Sequence, residues 1–456
     1  MAIAFEIINP ATGERGQSFP VATAQDVERA LAAGYAAQRG WAATGISDRA
    51  KVLIRAAALL RERRDRLAED ISVEMGKPRA EALGEVEKSA WNCEHVAANA
   101  ETWLADLTVA TDASRCFVAS RPVGMLLAVM PWNFPVWQVF RFAPAALIAG
   151  NSVILKHAPN VPRSALAVAQ ILRDAGLPAG VFQTLFLDND DVPAVIADRR
   201  IAAVTLTGGP RAGAAVASQA GAALKKSVLE LGGSDPFIVL ADADLDAAAR
   251  VGAKGRYANC GQVCIAPKRF IVADAIADAF VERLAAAAAA LNVGDPLAAS
   301  TTMGPLARHD LRTQIADLVD RSVAAGARIV AGGTSIDGPG AFYAPTILDG
   351  VTPDMAVANQ ETFGPVAAIL RVADEDAAVS LANASTYGLS SNIWTADIDR
   401  ACRMAQRIEA GGVFVNGVTA SDPRTPVGGV KASGYGRELG PWGLREFVNL
   451  QTVSIS

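Results

Sequence analysis

Short apolar segments alternate with segments of helical length along the first half of the chain, and this alternation constrains the fold most. Residues 123–130, 152–155, 181–187 and 201–207 are apolar runs of strand length, each followed by a stretch that could form a helix. Strands buried on both faces have this continuous apolar character, and parallel neighbours need a helical crossover. The pattern therefore predicts βαβ units and an α/β fold with a parallel sheet.

A second alternating region begins near residue 230. A domain usually holds about 100–200 residues, and the chain has 456, so more than one domain is expected. We predict two α/β domains joined near residues 225–235. Further helices are predicted over residues 24–39, 47–69, 79–107 and 144–150.

The composition excludes several classes of protein. Hydrophobic residues make up 51% of the chain and charged residues 20%, which is typical of a globular protein. A net charge of −5 argues against a nucleic-acid surface. The sequence shows neither a signal peptide nor a run of the ~18 apolar residues that a membrane span needs. Five cysteines form no disulfide framework, so we expect a cytoplasmic protein.

The sequence offers Cys264 as a candidate nucleophile, in the segment NCGQVC at residues 259–264. A cysteine is nucleophilic when its thiolate is accessible and stabilised, and a glycine-containing loop can expose it. A buried, inert thiol is the alternative interpretation. The three histidines stand in no obvious context for a Cys–His pair, so another base is needed. Glu230, followed by Leu231-Gly232-Gly233, is a candidate, unless it only ends a helix before a glycine cap.

Three further motifs follow predicted strands, where ligands gather in an open α/β sheet. Asn133, in the turn PWNFP, could direct its amide at a developing oxyanion or only stabilise its own turn. Lys156 ends a strand and could meet ribose hydroxyls or a phosphate. Gly208 and Gly213 lie between a strand and a helix, where a pyrophosphate can meet a helix N-terminus, although the GxGxxG pattern is absent.

Together these motifs resemble those of the aldehyde dehydrogenase superfamily, in order and spacing as well as residue type. The resemblance spans nearly the whole chain. It rests on PWNFP at 131–135, the strand-end Lys156, ELGG at 230–233, NxGQxC at 259–264, ETFGP at 361–365, Asn416 and GGVKxSGxGRE at 428–438.

The resemblance implies an aldehyde dehydrogenase fold in three parts. A Rossmann-like cofactor domain would comprise residues 1–107 and 123–231, and an α/β catalytic domain residues 232–423. Residues 108–122 and 424–456 would form a small β arm. Such an arm adds strands across a dimer, so a homodimer or homotetramer is expected, with no nucleic acid and no membrane as partner.

The resemblance also implies a covalent mechanism with NAD or NADP and without a metal. Cys264 would attack the aldehyde carbon, while Asn133 and the Cys264 backbone N–H hold the oxyanion. After hydride transfer to the nicotinamide, Glu230 would activate the water that hydrolyses the thioester. The presence of Glu230 argues against the CoA-acylating members, and so against an enzyme running in reverse as an acyl reductase. Glu438 matches a position that relays protons in some relatives.

A cofactor site follows from the same resemblance. Lys156 would bind the adenosine ribose region, and Glu361 the nicotinamide ribose, with Phe363 alongside. Pro159 stands where NAD-preferring relatives carry a glutamate, so neither cofactor is excluded. The implied cofactor-binding residues are Trp132, Lys156, Pro159, Gly208, Gly209, Gly213, Leu231, Glu361 and Phe363.

Within the superfamily, the chain is most similar to bacterial NAD(P)-dependent succinate-semialdehyde dehydrogenases. Arg141 and Ser421 match residues that bind the substrate carboxylate in that group, and Trp137 is expected to shape the tunnel wall. A charge on a helix surface is the alternative interpretation of Arg141.

One departure from that group concerns a second arginine, six residues before the nucleophile in some relatives. Ala258 occupies this position here, and Arg256 or Arg424 could substitute for it. A longer semialdehyde such as glutarate semialdehyde, or an aliphatic or aromatic aldehyde, therefore stays an alternative substrate. A catalytically silent relative that serves as a binding protein is a further alternative, against which the intact Cys264 and Glu230 argue.

Overall fold

The computed structural model describes residues 5–456, and within this range it contains twenty strands and fifteen α-helices. The strands are β1 (Phe5–Ile8), β2 (Arg15–Phe19), β3 (Leu107–Thr108), β4 (Arg115–Pro122), β5 (Met125–Met130), β6 (Ser152–His157), β7 (Phe182–Thr184), β8 (Ile201–Thr207), β9 (Lys226–Glu230), β10 (Asp235–Val239), β11 (Pro267–Ala273), β12 (Arg328–Ala331), β13 (Thr346–Asp349), β14 (Val366–Val372), β15 (Tyr387–Gly388), β16 (Ser390–Trp394), β17 (Gly412–Val415), β18 (Val430–Lys431), β19 (Gly434–Tyr435) and β20 (Val448–Ile455).

The helices are α1 (Ala24–Ala43), α2 (Ile46–Glu62), α3 (Arg64–Met75), α4 (Arg79–Leu104), α5 (Trp137–Ile148), α6 (Pro162–Asp174), α7 (Val192–Ala197), α8 (Pro210–Ala222), α9 (Leu245–Tyr257), α10 (Ala277–Ala289), α11 (His309–Ala324), α12 (Ala356–Asn359), α13 (Glu375–Asn383), α14 (Ile398–Ala405) and α15 (Gly440–Glu446). Among the described residues, no helix combines the length and the apolar character that a membrane crossing requires.

The first large sheet has the order β19-β9-β8-β5-β6-β7, and β5 to β9 run parallel. From β5 the chain builds outward through β6 and β7, then returns to the other side for β8 and β9. Alternate residues of β5 enter two different cores: Leu126 and Ala128 pack on one face, Met125 and Leu127 on the other. Burial on both faces explains the uninterrupted apolar runs that predicted these strands.

The second large sheet has the order β12-β13-β14-β11-β10-β16-β17, and only β12 is antiparallel to its neighbour. Here too the residues alternate between two cores, with Phe237 and Val239 on one face and Ile238 and Leu240 on the other. Two mainly parallel sheets covered by helices confirm the predicted α/β class.

A third, antiparallel sheet joins distant parts of the chain. β20 pairs with β4 along its whole length, from Val448 opposite Pro122 to Ile455 opposite Arg115, and β3 pairs with the other edge of β4. The strand β19 belongs instead to the first large sheet, where Gly434 lies opposite Glu230. The division into a cofactor domain, a catalytic domain and an arm stays a prediction.

Two helix predictions were wrong in their extent. The segment 47–69 is not one helix, because Arg63 leaves helical dihedral angles (φ −102°, ψ 11°) and separates α2 from α3, both of which pack on α4. The small-residue helix predicted over 144–150 begins earlier, at Trp137, so that Pro144 lies inside it. Pro144 has no N–H for the carbonyl of Phe140, and Asn92 Nδ2 donates to that oxygen at 2.7 Å instead.

Candidate active site

The carboxyl ends of β5, β6, β8 and β9 meet at one edge of the first sheet, next to the point where the strand order reverses. Asn133 follows β5, Lys156 lies near the end of β6, Gly208 follows β8 and Glu230 ends β9. Ligands of open α/β sheets bind at such a reversal. The sheet therefore gathers at one edge four residues that the sequence analysis singled out.

The loop that carries Cys264 has an unusual backbone. After α9, the residues Asn259, Cys260 and Gly261 all have positive φ angles, of 50°, 54° and 72°. A side chain at Gly261 would lie 2.3 Å from the Gly364 carbonyl oxygen, so only glycine fits there. Such strain in consecutive residues persists only where the surroundings hold it, and it is concentrated at functional sites.

Buried polar side chains hold this loop. Arg256 Nη2 donates to the Gly261 carbonyl at 2.6 Å and to the Gly364 carbonyl at 2.9 Å. The Gln262 side-chain oxygen accepts from Ala307 N at 2.8 Å. Because Arg256 is fully buried among these carbonyls, it is occupied in shaping the loop and does not line the substrate cavity described below.

Cys264 itself is half-buried. Of the other four cysteines, Cys93, Cys116 and Cys260 are buried and Cys402 is exposed. Burial raises the pKa of the Cys264 thiol to about 11, although the charges of Arg141 and Lys268 act in the opposite direction. At neutral pH the thiol is therefore mostly protonated, and a base has to accept its proton before it can attack.

Asn133 lies against the nucleophile loop. Its Nδ2 donates to the Gln262 carbonyl at 3.0 Å, and Asn259 Nδ2 donates to the Asn133 carbonyl at 2.8 Å. The side-chain nitrogen of Asn133 carries two hydrogens, and the bond to the Gln262 carbonyl uses only one of them. The turn after β5 is thus fixed to the Cys264 loop, and Asn133 and Cys264 line the same cavity.

Glu230 ends a strand, so its interpretation as the last residue of a helix is wrong. The carboxylate is buried, and its Oε1 has no hydrogen-bond partner among the described residues. Burial raises the pKa of Glu230 to about 8, with the charge of Arg141 opposing the shift and that of Glu438 adding to it. A carboxylate with such a pKa can exchange protons near neutral pH, as a general base must.

Arg141 lies on α5 and is only 3% exposed, so its interpretation as a surface charge is wrong. Its Nε contacts Glu438 Oε2 in an ion pair, and its Nη2 lies 3.9 Å from Glu230 Oε2. Nη2 also donates to Thr207 Oγ1 at 3.0 Å. The guanidinium of Arg141 therefore already has one ion pair and one hydrogen bond within the protein, with a second carboxyl group nearby.

A cavity of about 690 Å³ adjoins the nucleophile on one side. Most of its wall is apolar, which suits a small organic substrate. Arg141, Trp137 and Ser421 all line it, so the structure brings the three predicted substrate residues together with Cys264. Arg424, the second possible substitute for the missing arginine, is exposed and pairs with Asp422 at 2.6 Å.

A smaller cavity of about 200 Å³ adjoins the nucleophile on the other side. The indole of Trp132 meets the ring of Phe363 edge to face, with centroids 5.8 Å apart. A Cβ at Gly232 would lie 2.0 Å from Glu361 Oε2, so the glycine lets the Glu361 carboxylate lie directly against this backbone. The predicted cofactor residues on its wall are Trp132, Gly208, Gly209, Leu231, Glu361 and Phe363.

The remaining predicted cofactor residues lie at the same sheet edge. Helix α8 begins after Gly209 without a side-chain cap, so its first backbone N–H groups can donate hydrogen bonds to a pyrophosphate. Gly213 packs under Leu231, whose side chain a Cβ at position 213 would approach to 2.6 Å. Lys156 is buried at the end of β6, three residues before the half-buried Pro159. The residues present fit a dinucleotide.

A sequence profile of the aldehyde dehydrogenase family matches residues 2–453. The chain belongs to the aldehyde dehydrogenase family. It is 51% identical over 446 residues to the succinate semialdehyde dehydrogenase [NAD(P)+] Sad of Escherichia coli, an alignment that covers 98% of this chain and 96% of that enzyme. It is 47% identical to succinate-semialdehyde dehydrogenase [NADP(+)] 1 of Mycobacterium tuberculosis, over 98% and 99% of the two chains.

Solved structures agree with this membership. The succinic semialdehyde dehydrogenase from Streptococcus pyogenes, solved in complex with NADP+ as the cofactor, superposes with a TM-score of 0.97 at 39% identity, over 99% of both chains. The predicted aldehyde dehydrogenase fold is thus confirmed. The chain is an oxidoreductase that acts on aldehydes.

Two lysines of this aldehyde dehydrogenase site were missed by the sequence analysis. Lys268 is buried under the nucleophile loop, where its Nζ donates to the Cys264 carbonyl at 2.6 Å and lies 3.6 Å from Glu361 Oε1. Lys88, on α4, lines the large cavity and donates to Ser421 Oγ at 2.6 Å. Lys88 lies in a helical pattern that would equally suit an exposed lysine, and its partner is 333 residues away.

Two acids on α4, the buried Glu85 and the half-buried Glu81, were also missed. Glu85 Oε1 accepts from the backbone N–H groups of Val136 and Trp137, at 2.8 and 2.9 Å, and its other oxygen pairs with Lys77. Glu81 Oε2 accepts from Asn259 N at 2.8 Å. One helix of the aldehyde dehydrogenase therefore positions both the turn of Asn133 and the loop of Cys264.

Proposed function

We propose that this aldehyde dehydrogenase oxidises succinate semialdehyde to succinate with NAD or NADP. The observation that carries this proposal is the lining of the large cavity, where the thiol of Cys264 shares a mostly apolar wall with two cations that solvent reaches poorly, Arg141 and Lys88. An aldehyde with a distal carboxylate has the matching charge. Relatives from three bacteria that are named for succinate semialdehyde point to the same substrate.

The reaction would begin with the loss of the Cys264 proton to the ionised Glu230. The thiolate sulfur then bonds to the aldehyde carbon, and the carbonyl π electrons move to the oxygen, where Asn133 Nδ2 and the Cys264 backbone N–H stabilise them. When bound, NAD(P) would supply the oxidant: the oxyanion electrons re-form the C=O bond as a hydride leaves the thiohemiacetal carbon for the cofactor, and a thioester on Cys264 results.

The second half of the reaction would hydrolyse the resulting thioester. Glu230 releases its first proton to solvent and accepts one from a water molecule, whose oxygen bonds to the acyl carbon. The C–S bond breaks, succinate leaves, and the electron pair returns to the sulfur of Cys264. The buried position of Glu230 and its raised pKa suit this second transfer.

The cofactor would lie along the sheet edge that ends at the smaller cavity. Glu361 would bind the nicotinamide ribose beside Phe363, the N-terminus of α8 the pyrophosphate, and Lys156 the adenosine ribose. Pro159 adds no carboxylate that would repel a 2′-phosphate, so both NAD and NADP are compatible with the site. The homodimer or homotetramer, the cytoplasmic location and the carboxylate-binding role of Arg141 stay predictions.

The test compares two aldehydes of equal length, succinate semialdehyde and butanal, each with NAD and with NADP. We expect kcat/KM to be about 10- to 100-fold higher for succinate semialdehyde, because one buried charge-assisted contact contributes about 1.5–3 kcal/mol. Cys264→Ser is the blank for both substrates. Equal or better turnover of butanal would reject the substrate assignment and leave family membership intact.

A further inference from the structure

Lys88 is a cation inside the substrate cavity whose charge no described carboxylate pairs with directly. Its Nζ donates to Ser421 Oγ at 2.6 Å and lies 4.4 Å from the ring centroid of Trp137. Both partners are uncharged. Ser421 and Trp137, which the sequence predicts to bind the substrate, thus hold Lys88, which the sequence does not predict.

The acids around Lys88 are engaged elsewhere. Glu85, one turn earlier on α4, accepts two backbone N–H groups and pairs with Lys77. Asp422 pairs with Arg424 at 2.6 Å. Lys88 therefore keeps a positive charge that a ligand can use, in a site from which much of the solvent is excluded.

Arg141 offers less to an incoming anion. Its guanidinium already pairs with Glu438 and lies 3.9 Å from a Glu230 oxygen. A carboxylate that docked on Arg141 alone would have to compete with Glu438 for the guanidinium. Of the other cations that line the cavity, Arg250 and Lys254 are exposed to solvent, where a charge contributes little to binding.

We infer that Lys88 and the Ser421 hydroxyl form the subsite that binds the distal carboxylate of the substrate. Lys88 Nζ has further N–H groups to donate, and Ser421 Oγ, which accepts from Lys88, still has its own hydrogen to donate to a carboxylate oxygen. The ring of Trp137 limits the directions in which the ammonium can move. This inference rests on the proposed function, and it names the residue that selects the substrate.

The ionisation of Lys88 gives the subsite a pH dependence. Burial and the nearby Arg141 charge lower the pKa of Lys88 to about 8, while Asp422, Glu85 and Cys264 oppose the shift. In the free enzyme the ammonium is lost as the pH rises through this value. Selectivity for the charged aldehyde should therefore decrease above about pH 8.

The experiment measures kcat/KM for succinate semialdehyde and for butanal in the wild type, Lys88→Met, Lys88→Arg and the control Lys254→Met. Lys254 lines the same cavity but is exposed. For Lys88→Met we expect the ratio of the two constants to fall by about 10- to 100-fold through a higher KM for the semialdehyde. Butanal turnover should stay within about threefold, and Lys254→Met should match the wild type.

The pH dependence of that ratio separates binding from a structural role. Titrations that act on both substrates, such as those of Glu230 and Cys264, cancel in the ratio. The wild-type ratio should fall above about pH 8, whereas Lys88→Arg should keep a constant ratio because arginine stays protonated. If Lys88→Met fails to fold, the pH dependence of the ratio in Lys88→Arg still tests whether Lys88 binds the substrate carboxylate.

The outcomes distinguish the two proposals. A wild type that prefers succinate semialdehyde, combined with an unchanged ratio in Lys88→Met, would overturn the role of Lys88 alone. A ratio that falls above about pH 8 in Lys88→Arg as it does in the wild type would also overturn the role of Lys88. A wild type without any preference over butanal would overturn the proposed substrate and the inference with it.

Discussion

Burial shifts both Glu230 and Cys264 towards their protonated forms and raises their pKa values to about 8 and about 11. In the proposed cycle, protons move between these groups and solvent. An exposed pair would ionise more readily but would leave the thioester open to water at every stage. The structure instead places Glu230, the proposed base, at the end of a buried strand, where burial raises its pKa, the charge of Arg141 opposes the rise and that of Glu438 adds to it.

The first prediction concerns the pH dependence of thioester hydrolysis. A general base must be ionised, and the pKa of Glu230 is raised, so the ionised fraction is lost as the pH falls below about 8. We expect the rate of succinate release after a single turnover to fall about tenfold per pH unit below that value and to level off above it. A rate that does not change between pH 6 and pH 8 would contradict the role of Glu230.

Individual site residues could be predicted from the sequence where they belong to a short motif. Cys264, Asn133, Glu230 and Glu361 stand in short patterns. The structure places Cys264, Asn133 and Glu361 on the walls of the two cavities, and Glu230 lies 3.9 Å from Arg141, which lines the larger cavity. Lys88 and Lys268 carry no such pattern. Their surroundings are made by tertiary contacts with distant residues, so their burial could not be seen in the local sequence.

At the scale of elements, helix α4 links the two loops that make the active site. Its carboxylates accept backbone N–H groups at the start of α5 and in the Cys264 loop. Helix and strand positions could be predicted from apolar periodicity. The break between α2 and α3 at Arg63 could not be predicted, because neither glycine nor proline stands there. It results from the packing of both helices on α4.

The second prediction concerns Glu85→Gln. This change leaves Lys77 buried without its countercharge and weakens the acceptor for Val136 N and Trp137 N. We expect the free energy of unfolding, measured by chemical denaturation, to fall by about 3–5 kcal/mol. The matched control is Glu87→Gln on the same helix, whose exposed ion pair with Arg61 is worth about 1 kcal/mol or less. Equal effects in the two variants would refute the buried network.

At the scale of the whole molecule, the sheet β3–β4–β20 exposes apolar side chains. Leu107 and Leu450 lie on the same face of this sheet and are 66% and 58% exposed. Neighbouring exposed leucines on a strand surface are typical of a contact between chains. The oligomer that the sequence analysis predicts would cover them.

The third prediction follows from this surface. Wild-type protein should sediment as a dimer or tetramer, and Leu450→Asp should shift it towards the monomer, because a buried interface cannot hold an unpaired carboxylate. Leu224→Asp is the control, since Leu224 is 96% exposed in the turn between α8 and β9. A monomeric wild type, or the same shift in both variants, would show that the sheet is not an interface.

Covalent catalysis by Cys264 is tested most directly by the intact mass of Glu230→Gln after long incubation with succinate semialdehyde and NADP. Without its base the enzyme should still form the thioester slowly, through the small fraction of Cys264 that loses its proton to solvent, and should hydrolyse it more slowly still, because unactivated water is a far weaker nucleophile than a thiolate. We expect one equivalent of NADPH and a mass increase of one succinyl group, located on Cys264 by peptide mapping and absent from Glu230→Gln that also carries Cys264→Ser. NADPH formation without any adduct on Cys264, or a succinyl group at another residue, would contradict covalent catalysis by Cys264.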